Sequence, residues 1–103
     1  MKNGLITNEY GTKRYYFNDL LHRADGPAVE GYDGSKWYYI NDKLHRIDGP
    51  AIEYCNGDKY YFLNGIDYSE ENYWKKIEIR KKIQIRRKSL DFILAYYLYD
   101  YEK

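Results

Sequence analysis

Two short strings in this chain carry the residue types of acid–base or metal chemistry: His22-Arg23-Ala24-Asp25 and His45-Arg46-Ile47-Asp48. An imidazole beside a carboxylate can move a proton or hold a metal ion. The repetition argues for a different use. The strings stand 23 residues apart inside a longer shared sequence, and a catalytic centre is needed once, whereas a residue copied into each unit does what each unit requires. His22, Arg23, Asp25, His45, Arg46 and Asp48 are therefore expected to close turns, the arginines or histidines bonding to Asp25, Asp48 or nearby backbone carbonyls. Two histidines without a cysteine pair or an H-E-x-x-H spacing make a poor zinc site. No glycine-rich phosphate loop, G-x-S-x-G elbow or cysteine–histidine signal is present. The expectation is a non-enzymatic protein with no cofactor and no metal, in which the single cysteine, Cys55, is incidental.

A second candidate is the basic run KKIEIRKKIQIRRK. Residues 75–88 carry a net charge of +7, against −4 for residues 1–74 and −2 for residues 89–103. Lys75, Lys76, Arg80, Lys81, Lys82, Arg86, Arg87 and Lys88 could bind phosphates by releasing counterions. They could equally meet an acidic protein, or solvate a face that covers the acidic repeat region.

Both candidates depend on the elements that hold them. Gly11–Pro27 reads GTKRYYFNDLLHRADGP, residues 34–50 read GSKWYYINDKLHRIDGP and residues 57–65 read GDKYYFLNG. Three copies of a 23-residue unit thus fill most of the chain, the pattern of a stack in which each copy covers its neighbour. Within a unit the order is strand, turn, strand. Asn18-Asp19, Asn41-Asp42 and Asn64-Gly65 supply tight hairpin turns, and Pro27 and Pro50 open strands where a missing N–H costs least. Residues 1–10 resemble an incomplete first strand that closes one end, with Leu5 and Ile6 near the positions of Val29 and Ile52. Six to eight short antiparallel strands are expected.

Alternation on the long strand puts Tyr15, Tyr38, Tyr61, Phe17, Ile40 and Leu63 on one side. Their constancy between copies assigns them to the core. The other side carries Arg14, Trp37 and Tyr60, which change from copy to copy, with Tyr16, Tyr39 and Phe62. Arg14, Trp37, Tyr39, Tyr60 and Phe62 are the expected partner-binding set. The chain has 15 tyrosines and 3 phenylalanines, and tyrosine joins an apolar ring to a wet hydroxyl, which suits a thin layer with one solvated side.

After Gly65 the third copy leaves the pattern at IDYSEENYWKK. Ser69 is a good N-cap, with Glu70 and Glu71 at the positive end of a helix dipole. A helix over 70–87 follows, with Trp74 pinning it to the sheet. A strand is the competing reading, because Ile77, Ile79, Ile83 and Ile85 share one parity. LDFILAYYLYDYE forms a second helix capped by Ser89 or a continuation of the first, and residues 89–101 are apolar enough to form a homodimer surface. The fold class expected is mainly β with a C-terminal helix (α+β): an antiparallel meander in residues 1–68, capped over 69–103 by one or two α-helices. The N-terminus lacks the apolar core of a signal peptide, and no run approaches membrane-spanning length.

The strings HRADGPAVE and HRIDGPAIEYCNGD resemble MORN-type repeats of the variant W-Y-x-N-x-K-L-H-R-x-D-G-P-A-x-E-Y-x-N-G, over about Gly11 to Trp74. The resemblance implies a β-hairpin meander used in interactions, of a kind found in bacteria, phages and large DNA viruses. Asp25-Gly26-Pro27 and Asp48-Gly49-Pro50 replace the usual G-x-G pair, so the lipid-binding role suggested for some MORN proteins is not carried over. The runs GTKRYYFND, GSKWYYIND and GDKYYFLNG are also similar to choline- and glucan-binding wall repeats, which implies aromatic cages for a quaternary ammonium or a sugar. With a composition rich in Lys, Asn, Ile and Tyr, the functional expectation is a cytoplasmic protein-binding module, such as a phage or viral inhibitor of a host protein. Its rivals are a nucleic-acid binder acting through 75–88 and a small-ligand cage.

Overall fold

The computed structural model describes the backbone of residues 1–101, and the side chains of residues 1–88 and of Leu90. The chain is mainly antiparallel β-sheet followed by one helix. Among the described residues ten strands run in order: β1 (Gly4–Thr7), β2 (Lys13–Phe17), β3 (Leu20–Leu21), β4 (Val29–Glu30), β5 (Lys36–Trp37), β6 (Tyr39–Ile40), β7 (Lys43–Leu44), β8 (Ile52–Glu53), β9 (Lys59–Leu63) and β10 (Ile66–Tyr68). The helix α1 spans Glu70–Tyr101. The expected six to eight strands become ten partly because the long strand of the middle copy is interrupted at Tyr38, where β5 ends and β6 begins.

The hairpin turns explain the spacing of the polar residues. Asn18, Asp19, Asn41, Asp42, Asn64 and Gly65 all have positive φ, from 49° to 81°. Two consecutive left-handed residues make the tight turn whose twist matches its strands, and Asn, Asp and Gly tolerate that backbone best.

The main sheet has the order β1-β2-β4-β5-β8-β9-β10, with β3 on β2 and a separate β6–β7 pair. Directly paired residues of antiparallel strands share a face. One row therefore reads Ile6, Arg14, Val29, Trp37, Ile52, Tyr60. The adjacent row, on the opposite face, reads Thr7, Lys13, Glu30, Lys36, Glu53, Lys59. Opposite charges alternate along it, which favours this register over a slipped one.

Successive hairpins are joined by further main-chain bonds. Asp42 donates to the Leu21 carbonyl at 2.8 Å and Gly65 to that of Leu44 at 2.8 Å, while Arg23 donates to the Tyr39 carbonyl at 3.2 Å. At the N-terminal end Asp19 donates to the Lys2 carbonyl at 3.0 Å, so residues 2–3 stand where a preceding copy would supply its Leu-His pair.

The chain divides into two compact units, Met1–Tyr73 and Trp74–Lys103. In the first, Ala28, Val29, Ala51, Ile52, Tyr61, Leu63 and Tyr73 are buried. The expected core row departs from this in its first copy, where Phe17 is 55% exposed. Tyr15, Tyr38 and Ile40 are half-buried. At the tyrosine position the copies differ in what covers them: Tyr61 lies against the ring of Tyr73, at a centroid separation of 4.9 Å, whereas Tyr15 and Tyr38 lie beneath arginines.

Tyr73 comes from the first turn of α1. Ser69 caps that turn, its Oγ accepting the N–H of Asn72 at 3.2 Å, and the capped start fixes which aromatic faces the sheet. That aromatic is Tyr73, which is fully buried, while Trp74, the residue expected to pin the helix, is 42% exposed. The helix expected over 70–87 forms within α1, and the competing strand reading, drawn from the shared parity of Ile77, Ile79, Ile83 and Ile85, is excluded. Ser89, read as the cap of a second helix, lies inside the single helix α1. The homodimer surface expected over residues 89–101 lies, apart from the side chain of Leu90, outside the described residues.

Candidate binding face

The sequence placed His22 and His45 at turn closure, and their bonds are specific. Each Nδ1 accepts a backbone N–H from the turn of the next copy: Asn41 to His22 at 3.2 Å and Asn64 to His45 at 3.0 Å. The aspartates and carbonyls anticipated for the arginines or the histidines are taken by the arginines, and the imidazoles reach the backbone of the next copy. At the N-terminal end the Oδ1 of Asn3 accepts the N–H of Asn18 at 2.9 Å and so does the histidine's work with an amide.

Each arginine organises its own loop. Arg46 donates from Nε to Asp48 at 2.9 Å and from Nη1 to the Pro50 carbonyl at 3.0 Å and to Glu53 at 2.9 Å. Arg23 repeats the set with Asp25, Pro27 and Glu30 at 3.1, 3.2 and 3.3 Å. Partial burial alone would lower the Arg46 guanidinium, but its bonds to Asp48 and Glu53 outweigh that and hold it above the ordinary arginine value. Such charge-assisted bonds leave little capacity for an external phosphate. The cavity between these loops, about 610 Å³, is lined by His45 but not by His22. Among the described residues no group of three or more His, Cys, Asp or Glu side chains could hold a metal ion.

Of the five residues expected to meet a partner, three converge. Arg14, Trp37 and Tyr39 line one groove of about 340 Å³ with Leu21, Val29 and Tyr32. Tyr60, 49% exposed, is reached from Trp37 through a residue the sequence reading missed. Trp37 packs edge-on against Tyr54 at 5.9 Å, and Tyr54 packs edge-on against Tyr60 at 5.8 Å, the favoured T-shaped arrangement. Phe62 is half-buried and pairs with Asp67 across β9 and β10. It does not line the groove.

The groove exists because one copy departs from the next. Position 54 carries Tyr, and the position 23 residues earlier is Gly31. A Cβ on Gly31 would lie 3.3 Å from the Trp37 ring and 2.8 Å from Asp33 Oδ1. Gly31 therefore leaves one side of Trp37 open while Tyr54 covers the other. That offset comparison was the signal available for both residues. The wall is rigid: Ser35, 1% exposed, donates its N–H to Asp33 at 2.9 Å and accepts the Cys55 N–H on Oγ at 3.0 Å. The Ser35 N–H is also the leading cause of the lowered Asp33 carboxyl pKa. Burial raises the Tyr39 hydroxyl, with the charges of Asp42 and Tyr54 adding to it.

The eight basic residues of 75–88 all lie on α1. Arg80 is half-buried and the other seven are exposed. Lys82 pairs with Glu78 at 3.6 Å, an exposed contact of small energetic weight. Among the described residues no helix is long and apolar enough to cross a membrane. No family model, curated protein or solved structure matches this chain.

Proposed function

We propose that this chain is a non-catalytic protein-binding module built on MORN-like hairpin repeats, whose aromatic face meets the partner. One observation carries the reading. The side chains that the repeats copy are engaged in closing turns, while three that vary or flank the variation, Arg14, Trp37 and Tyr39, share a preformed groove continued by Tyr54 and Tyr60. Rigid aromatics with an arginine are the residue types that dominate protein interfaces, because they bury much area for little lost side-chain entropy. Inhibition of a host protein is the form of this role favoured by the composition.

The test is capture of partners from the native host followed by titration of the purified partner. Trp37→Ala and Tyr60→Ala should each weaken binding by about tenfold or more, the usual cost of an aromatic anchor. Ile47→Ala, beside Tyr38 on the opposite face, should leave binding unchanged. Equal binding by all three variants would remove the aromatic face from the proposal.

The second reading, nucleic-acid binding, rests on the eight basic side chains of one helix. Labelled duplex and single-stranded oligonucleotides titrated at two salt concentrations decide it, since phosphate binding must weaken steeply with salt. A cage for a choline-like cation fits the groove poorly. Arg14 sets a like charge inside it, and Asp33 is already engaged by Ser35.

A further inference from the structure

We propose that the helix of the second unit docks an acidic amphipathic helix of a partner protein, whose apolar seam seats on Ile79, Ile83 and Leu90. The inference rests on the protein-binding reading but uses none of the residues of the aromatic face. At 3.6 residues per turn these three side chains fall within a sector of about 40°. They are 52%, 45% and 59% exposed. β-Branched isoleucine is a poor choice for a helix position facing water; Ile85, 65% exposed, lies about 140° from the seam, so the seam rests on the alignment of Ile79 and Ile83 with Leu90. Their spacing, i, i+4 and i+11, is that of anchors read by a helix in a groove.

The charges beside the row define the occupant. Lys75, Lys82 and Arg86 follow one edge of the seam, and Lys76, Arg80 and Arg87 follow the other. Glu78, the one acidic residue of the segment, lies about 120° away from the seam and contacts Lys82. An apolar seam with cations on both flanks complements a Leu- or Ile-rich seam with Asp and Glu on both flanks. A second copy of the same segment would set cation against cation along both edges. Nucleic acid would satisfy the cations and gain nothing from the isoleucines. A bilayer requires a broad apolar face. Here the cations begin directly beside a narrow one, and Ile77, the buried isoleucine, lies about 140° round the helix.

The experiment titrates the full chain at ~0.15 M salt with three synthetic helical peptides: a Leu seam flanked by Glu, the same seam flanked by Lys, and a Ser seam flanked by Glu. The first should bind saturably and the other two at least about tenfold more weakly, because each lacks one of the two complementary features. Ile79→Asp with Ile83→Asp should reduce binding of the first by at least about tenfold with the helical circular dichroism retained. Charge reversal by Lys76→Glu, Arg80→Glu and Arg87→Glu, which leaves the seam intact, should shift preference toward the Lys-flanked peptide. Trp37→Ala should bind the first peptide normally, so failure here is distinguishable from failure of the aromatic-face reading. The proposal is overturned if the Ser-seam peptide binds equally well or the Leu–Glu peptide does not bind. It is also overturned if an oligonucleotide or a phosphatidylserine vesicle binds more tightly than that peptide, or if sedimentation shows a dimer that the two isoleucine substitutions dissolve.

Discussion

The guanidinium carbon of Arg46 lies 4.0 Å from the centroid of the Tyr38 ring, and Arg23 stands over Tyr15 at the same distance. That stack accounts for most of the repeated string. The guanidinium is held by cation–π attraction on one side, while Asp48, the Pro50 carbonyl and Glu53 take its N–H groups. Its remaining side is occupied by Gly49, where a Cβ would come within 3.1 Å of the guanidinium carbon. The letters R-x-D-G-P-A-x-E therefore describe one planar cation and the groups that surround it.

The first prediction concerns that packing. Gly49→Ala should cost about 1–2 kcal/mol, because an added methyl must displace a side chain fixed by four contacts. In an Arg46→Ala background the same change should cost much less, a coupling on the order of 1 kcal/mol. Arg46→Lys should itself cost about 1–2 kcal/mol, since an ammonium can neither stack flat nor fork. The 79% exposure of the Asp48 side chain limits the ion-pair share of that figure. Urea unfolding of the four proteins gives the cycle, and strict additivity would refute the stacked arrangement.

A second prediction separates two neighbouring aromatics. The hydroxyl of Tyr73 donates to the Arg46 carbonyl and accepts the N–H of buried Gly49 at 3.2 Å. Tyr73→Phe orphans both groups and should cost about 1–3 kcal/mol. Tyr73→Ala should cost about 3–5 kcal/mol by adding a cavity. Trp74→Ala, at a site 42% exposed, should cost under ~1.5 kcal/mol. Thermal or urea melts rank the three, and a larger loss at Trp74 than at Tyr73 would reverse the assignment.

The histidines give a third. His45→Ala removes the acceptor for the Asn64 N–H at an exposed turn and should cost about 0.5–1.5 kcal/mol. His45→Asn should recover at least half of that, because Asn3 already takes the equivalent bond from Asn18. Amide exchange at Asn64 is the direct readout, and its protection should fall in His45→Ala and return in His45→Asn.

These contacts also show where sequence reasoning reaches and where it stops. The turns were legible because a left-handed pair of residues leaves Asn, Asp and Gly at fixed intervals, and the helix start was legible because Ser69 must satisfy a free N–H. Tyr73 and Trp74 were not distinguishable, since adjacent helical residues point about 100° apart and nothing local states which direction is inward. The histidine's partner was missed because it lies 19 residues on, in the next copy. The groove at Trp37 needed the comparison of Gly31 with Tyr54, two residues whose types look unrelated until the copies are superposed. Phe17 was misassigned because constancy between copies marks a shared position. It does not reveal how far each copy of that position is covered: Leu63 is 3% exposed and Phe17 55%.

The last prediction follows from the tyrosines. Burial raises the Tyr61 hydroxyl pKa, the nearby charge of Glu70 and a bond to it adding to the effect, and burial likewise raises Tyr39. A group whose pKa is higher in the folded state keeps its full contribution to stability below the unfolded value, near 10 for tyrosine. That contribution is lost as pH rises toward and through the folded value, because the unfolded chain releases its proton first. The urea midpoint should thus hold steady to about pH 9 and decline above ~10. Tyr61→Phe, which has no proton to lose, should show a shallower decline. Ring resonances followed by NMR through the same titration should place the Tyr39 and Tyr61 midpoints above the ordinary tyrosine value. If the Tyr61→Phe midpoint falls with pH as steeply as that of the wild type, the covering of Tyr61 by Tyr73 does not shield its hydroxyl as the geometry requires.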